Sequence, residues 1–291
     1  MQIVHAFPSV DGITTKYVLD AGDALVECTY VDRPEKHILC FSTAVGCPVR
    51  CGFCAATPFR RRMSADEMVA QVYAVVEATV PWKVEKPVLF SAMGEGEPLL
   101  SQGAAEALLE ALQRLMHLRQ SSRAAVSTTA IKPHIVTWLS ESAPPELKLQ
   151  VSLHATTDAQ RRTVIPHAAP LAEVLEAGRA FLASRPGMLE WNYVLISGLN
   201  DARSDALRLA SILRPGDVVK LNRLNPVLNV AWQPSERVAE FAAILTAYGL
   251  RPEQYCTNGV DVAAACGQLK SRVALWYDRS PGVSCLHVGA R

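Results

Sequence analysis

The sequence predicts an α/β protein: an open, partial (βα)6 barrel carrying a small N-terminal β extension. Six short apolar segments read as strands: HILCFST, PVLFSAM, AAVSTT, LKLQVSL, LEWNYVLI and DVVKLNRL. Each is followed by a stretch with helical character, at 65–78, 103–117, 131–140, 171–184, 203–213 and 234–248. Strands alternating with helices build a parallel sheet. Six such units fall short of the eight that close a barrel, so an open barrel leads and a doubly wound sheet is the alternative. In either architecture the chemistry belongs at the C-terminal ends of the strands.

Ahead of the first unit, QIVHAF, TKYVLD and ALVECTYV alternate in a strand-like way, separated by turn signals at Asp11-Gly12 and Ala21-Gly22-Asp23. They predict a small antiparallel extension over 1–36. The barrel then occupies 37–275 and a tail 276–291. Ser64 and Asp66 stand where the first helix needs its cap.

Composition excludes several classes. With 49% hydrophobic and 20% charged residues, the 291-residue chain has too much core material to be disordered. Its apolar runs are too short for a membrane-spanning helix, which needs ~20 residues. The N-terminus lacks the basic and apolar regions of a secretory signal, so a cytoplasmic location with reduced thiols is expected. A net charge of +1 is not the footprint of a protein held to nucleic acid mainly by charge. The one compact basic run, Arg60-Arg61-Arg62, is the place where a phosphate would be met.

Three cysteines carry the first chemical signal. Cys47, Cys51 and Cys54 form C-x3-C-x2-C directly after the first barrel strand. Three cysteines within eight loop residues do not all point into one core. Structural zinc, the competing reading, normally takes four ligands from two pairs, and no matching second C-x2-C follows. Three thiolates suit a [4Fe-4S] cluster with one iron left open.

In this loop, with Phe53 just before its last cysteine, the chain resembles the radical S-adenosylmethionine (SAM) enzymes. Gly94-Glu95-Gly96-Glu97-Pro98, after the second strand, resembles their motif for the SAM amino group. Ser127, the Ser152-Leu153-His154 run and Asn225 lie at later strand ends. Two further cysteines narrow the resemblance. Cys40 lies seven residues before Cys47, and Cys266 lies in Ala-Cys-Gly-Gln-Leu at 265–269. With Ser-Leu-His-Ala at 152–155, Asn-Pro at 225–226 and Glu27 thirteen residues before Cys40, the pattern resembles the RlmN/Cfr family of radical SAM methyl synthases. The likeness runs over roughly 24–275.

The resemblance implies a fold, a radical-SAM partial barrel, and a reaction, methylation of C2 or C8 of adenine in RNA with two SAM per turnover. Cys47, Cys51 and Cys54 would hold the cluster. Gly96, Glu97, Ser127, Ser152, Leu153, His154 and Asn225 would bind SAM. Cys266 would carry the methyl group as S-methylcysteine, Glu27 would act as general base, and Cys40 would release the product through a transient disulfide with Cys266. It also implies a reducing donor such as flavodoxin or ferredoxin, no membrane, and a monomer. Cys28, Cys256 and Cys285 match no role.

The sequence departs from the family in three places. Only 26 residues, strand-like rather than helical, precede Glu27, so the family's N-terminal helical domain is expected to be missing. Glu95 stands where the family typically has Met. Asn258 and Ala263 stand where it usually has Arg and Asp. The alternative these departures suggest is methylation of a small nucleoside, nucleotide or natural-product ring.

Overall fold

The computed structural model describes residues 1–227, 230–254, 259–264 and 267–268; the expected tail over 276–291 lies outside them. Three antiparallel strands open the chain, β1 (Gln2–Pro8), β2 (Thr14–Asp20) and β3 (Leu25–Arg33). β3 then pairs antiparallel with β4 (Lys36–Cys40), the first barrel strand. The extension is thus continuous with the main sheet.

After β4, a two-residue ladder between β5 (Ala44–Val45) and β6 (Arg61–Arg62) closes a loop. Helix α1 (Ala65–Ala78) follows. Ser64 Oγ accepts the Glu67 N–H while the Glu67 carboxylate accepts the Ser64 N–H, a complete capping box. The chain continues through β7 (Val88–Ala92), α2 (Gln102–Met116), β8 (Ser122–Thr128), α3 (Pro133–Ser142) and β9 (Leu147–Ser152). Then come α4 (Asp158–Val164), α5 (Leu171–Ser184), β10 (Leu189–Leu195), α6 (Arg203–Ile212), β11 (Val218–Arg223), α7 (Val238–Ala247) and β12 (Arg251–Gln254). Strand order is β1-β2-β3-β4-β7-β8-β9-β10-β11-β12, and every pair from β4 to β12 is parallel. This is the expected open α/β sheet, with the short β12 added at its edge.

Three details differ from expectation. Helix α4 was not anticipated, because DAQRRTV is too short and polar to show an apolar period. Helix α3 starts at Pro133, where the missing N–H and restricted φ suit the first turn. Helix α7 starts four residues late, because Ser235 donates to Asp201 Oδ2 and accepts the Arg237 N–H in a turn.

The register separates two faces. Tyr30, Leu39, Phe90, Ala124 and Leu147 stand in one row across the sheet and are buried in the main core, on the helix side. The adjacent row is Thr29, Cys40, Ser91, Ala125 and Lys148; side chains alternate between faces along a strand, so this row looks inward. Trp191 of β10 sits in the helix-side core, 1% exposed. A Cβ added to Gly178 of α5 would lie 2.2 Å from its ring, so the bare glycine lets the helix close on the sheet. Trp191→Ala should lower stability by about 3–5 kcal/mol, read as a fall in the urea midpoint of the apo-protein.

Candidate active site

The loop between β5 and β6 carries the three-cysteine motif. Its ladder is extended by the Arg60 N–H donating to Val45 O and the Met63 N–H donating to Thr43 O. Inside the loop the Cys47 N–H donates to Thr57 O and the Cys54 N–H to Cys51 O. Two outside anchors hold it: the Gly52 N–H donates to Val164 O at the end of α4, and the Ala55 N–H to Gly267 O. Cys47, Cys51 and Cys54 are each partly exposed and line one cavity. Burial pushes the Cys47 thiol up to about 11 and Cys51 well above its ordinary value, with the neighbouring Cys54 and Cys47 adding to the rise at Cys51.

The three thiols line a shared cavity, and a cube that gives each thiolate its own iron accepts such a donor set. Metal binding deprotonates the thiols and so overcomes their raised affinity for protons.

The Gly94–Pro98 loop forms the adjoining wall. Gly96 has φ +117°, and a Cβ there would sit 2.5 Å from Thr43 Oγ1 and 2.9 Å from the Ala44 backbone nitrogen; only glycine fits. The Glu97 carboxylate accepts four hydrogen bonds, from Thr128 Oγ1 at 2.5 Å, Thr129 Oγ1 at 2.6 Å, Thr129 N at 2.8 Å and Leu99 N at 3.1 Å. That uses about the full capacity of a carboxylate. Its side chain therefore ties the loop to the end of β8. Glu95, the residue departing from the resemblance, is buried and accepts both the N–H and the hydroxyl of Thr57 at 2.8 Å. It clamps the far arm of the cysteine loop.

Ser127, Ser152, His154 and Asn225 all line the same cavity as the cysteines, Gly96 and Glu97. Leu153 does not. Its side chain is fully buried in the core, and its N–H donates to Asn192 O. His154 adopts φ +56°. Its Nδ1 accepts the Val194 N–H at 3.0 Å, and its ring meets the edge of Phe53 at 5.1 Å. Burial, aided by the charge of Arg161, lowers its pKa to about 3. The neutral ring thus keeps its proton on Nε2. Arg161 of α4 is itself fully buried. It donates to the carbonyls of Ser152, Leu153, Thr129 and Ala169, knitting two strand ends together. Arg161 carried no sequence motif that would have found it.

Glu27 and Cys40 stand apart from that cavity, on the inner face of β3 and β4. Glu27 is 1% exposed and faces Lys16 Nζ at 3.5 Å; Cys40 stands in register between Thr29 and Ser91. Cys28 points to the opposite, helix-side core and is fully buried. Cys266, Cys256 and Cys285 lie outside the described residues. Residues 259–264 and 267–268, near Cys266, are described. Lys16 Nζ donates to Ala263 O at 3.4 Å and the Val10 N–H to Asp261 Oδ2 at 2.8 Å. Beyond Cys266, Gly267 lines the cysteine cavity and Gln268 Nε2 donates to Pro226 O at 2.7 Å. The basic run is occupied within the fold: Arg61 pairs with Asp23 and Glu67, Arg60 donates to Asp23 O, and Arg62 to Ser101 Oγ.

Comparison with known proteins places this arrangement. The dual-specificity RNA methyltransferase RlmN of Anaeromyxobacter sp. is 36% identical over 275 residues, 90% of this chain and 72% of that protein. That of Solidesulfovibrio magneticus is 36% identical over 280 residues, 90% of this chain and 77% of that protein. The chain belongs to the RlmN family. A radical SAM methyltransferase from Sphaerobacter thermophilus superimposes with a TM-score of 0.84 at 31% identity, covering 93% of this chain and 81% of that one. SuiB from Streptococcus suis, bound to S-adenosylmethionine, shares the fold at a TM-score of 0.54 and 13% identity, over 78% of this chain and 52% of its own. No protein-family model matches the chain. The protein is thus a radical SAM methyltransferase of the RlmN family, and the family implies a [4Fe-4S] cluster and SAM. Among the described residues no helix is long and apolar enough to cross a membrane.

Two outcomes follow from this geometry. Glu95→Ala removes both acceptor contacts of the half-buried Thr57, which should cost about 1 kcal/mol and reduce the iron retained per chain after reconstitution; wild-type stability and iron content would count against the clamp. Histidine-selective NMR should show His154 neutral and protonated on Nε2 from about pH 5 to 8. Because the unfolded ring takes a proton near 6.5 and the folded one only near 3, its contribution to stability falls as pH drops through that interval.

Proposed function

We propose that the protein methylates C2 or C8 of adenine in RNA, through an S-methylcysteine on Cys266 and with two SAM per turnover. One observation carries the reading. Of the described residues near Cys266, Ala263 meets the Lys16–Glu27 face of the extension and Gly267 lines the cysteine cavity, and these two contacts support Cys266 as the methyl carrier.

Cys47, Cys51 and Cys54 hold the cluster in this reading. Gly96 with the Glu97-fixed loop, Ser127, Ser152, His154 and Asn225 hold SAM, with Leu153 contributing through its backbone. When bound, the cluster and SAM would supply hydrogen-atom abstraction from an unactivated C–H bond and a one-electron acceptor for the electron left on the ring once it has gained the methylene and lost its proton. The chain's own residues do the rest. The Cys266 thiolate accepts a methyl group, being the most nucleophilic side chain for such a displacement. Glu27 removes the proton that leaves the ring carbon once the methylene is attached. The Cys40 thiolate then attacks Cys266 Sγ. A sulfur–sulfur bond forms, the sulfur–carbon bond breaks with its electron pair on carbon, and that carbon takes a proton to become the methyl group. Reduction of the disulfide restores both thiols. The Cα atoms of Cys40 and Cys266 must approach within ~7 Å for this step.

RNA is the favoured substrate because the relatives are named as RNA methyltransferases. The electron source is a low-potential donor such as flavodoxin or ferredoxin, the working unit a monomer, and the setting the cytoplasm.

Nucleoside mass spectrometry tests the reading directly. RNA and small-molecule pools would come from a host lacking its own enzyme of this family and expressing the protein or its Cys266→Ala variant. A methyladenosine should appear in RNA with the intact protein and not with the variant, its retention time separating C2 from C8. Its appearance in the nucleotide pool alone would shift the substrate to a small molecule; its persistence in Cys266→Ala would overturn the carrier role. Cys51→Ala should lose both the iron and the product.

A further inference from the structure

Strand β10 is buried along its whole length, yet it carries two polar side chains on the inner face, Glu190 and Asn192. Trp191 and Tyr193, which alternate with them, lie in the helix-side core. Glu190 and Asn192 belong to a chain of hydrogen bonds whose direction is fixed at its first member. The Glu190 carboxylate receives Lys148 Nζ at 2.7 Å and Lys220 Nζ at 2.8 Å. Burial alone would raise the pKa of the carboxyl, but the two ammonium groups outweigh it and hold it below its ordinary value. A carboxylate only accepts hydrogen bonds. Gln150 must therefore present its amide nitrogen, and Nε2 donates to Glu190 Oε2 at 2.7 Å.

That choice leaves Gln150 Oε1 facing the next side chain along. Asn192 must answer with its own nitrogen, and Nδ2 donates to Gln150 Oε1 at 3.2 Å. Flipping Asn192 would set two carbonyl oxygens against each other. The orientation is thus dictated by the lysines two links away, and Asn192 Oδ1 is the end of the relay. Asn192 is 7% exposed and lines the cysteine cavity. Its Oδ1 is buried without a hydrogen-bond partner. A buried acceptor left unmet is unfavourable unless a ligand supplies the donor.

We infer that Asn192 is a ligand-binding residue whose Oδ1 accepts a hydrogen bond from a ribose hydroxyl of SAM. This rests on the reading of the cavity as the SAM site. An acceptor needs a donor, and SAM offers three kinds: its ammonium, its ribose hydroxyls and its adenine amino group. The Gly94–Pro98 loop, assigned to the ammonium, follows β7, three strands away in the sheet order. Asn192 instead stands in register with Ser152 of β9, which lines the same cavity. A fixed carbonyl beside a rotatable hydroxyl matches a pair of adjacent hydroxyls.

The test is binding of SAM, 2′-deoxy-SAM and 3′-deoxy-SAM to the cluster-reconstituted, unreduced protein, measured by anaerobic equilibrium dialysis so that no turnover intervenes. The wild-type protein should bind SAM about 5- to 150-fold more tightly than one of the deoxy analogues. In Asn192→Leu that discrimination should collapse to near unity. The ratio is insensitive to a partial loss of folded protein, and the ligand-side deletion needs no variant at all. Wild-type binding of SAM and both analogues with equal affinity overturns the inference while leaving the SAM site standing. Discrimination that survives in Asn192→Leu assigns the hydroxyl to another residue. No SAM binding by the wild-type protein overturns the reading of the cavity itself.

Discussion

Each inner strand of this sheet has to satisfy two media at once. Successive side chains of a strand point to opposite faces, so one row meets the helices and the next meets the cavity. Tyr30, Leu39, Phe90, Ala124 and Leu147 bury the helix side, and their neighbours in the other row are polar or small. The inner face then has to neutralise what it buries. Glu190 does so with Lys148 and Lys220, and Glu27 faces Lys16. The polar interior is thus a rigid floor on which the cavity stands.

Above that floor the cysteine loop is held mainly through its backbone. The β5–β6 ladder closes its base, Val164 and Gly267 accept its N–H groups, and Glu95 takes both donors of Thr57. The opposite wall is fixed by one carboxylate, Glu97, which gathers the loop after β7 and the end of β8 onto four hydrogen bonds. Buried Arg161 does the same for the ends of β8 and β9. Fixing the walls in advance leaves little reorganisation for the ligands to drive.

The six strand–helix units and the extension were legible because their apolar periods are strong. Helix α4 was not, since a seven-residue polar segment is stabilised by where it packs, with Val164 against Val49 and the cysteine loop. Glu97 was legible as a motif residue, but its carboxylate proved to be occupied by the fold. Leu153 lies within a motif yet points into the core, because its neighbours Ser152 and His154 take the inner side. Glu95 takes its role from Thr57, thirty-eight positions away in sequence. The Arg60–Arg62 run, where a phosphate would be met, also makes contacts within the fold, to Asp23, Glu67 and Ser101.

The alternation in LKLQVSL and LEWNYVLI was present in the sequence all along, and it already separated an apolar row from a polar one. So were the spacing of Cys40, Cys47, Cys51 and Cys54, the order of the motifs and, through them, the family. These are local properties, set by the period of a strand and by the few residue types that bind iron or carry a methyl group. Which way Asn192 turns its amide, what Glu95 holds, and which strand ends Arg161 joins were decided only by tertiary structure. Each depends on partners brought together from distant parts of the chain, and a hydrogen bond has a direction only once both of its ends are in place.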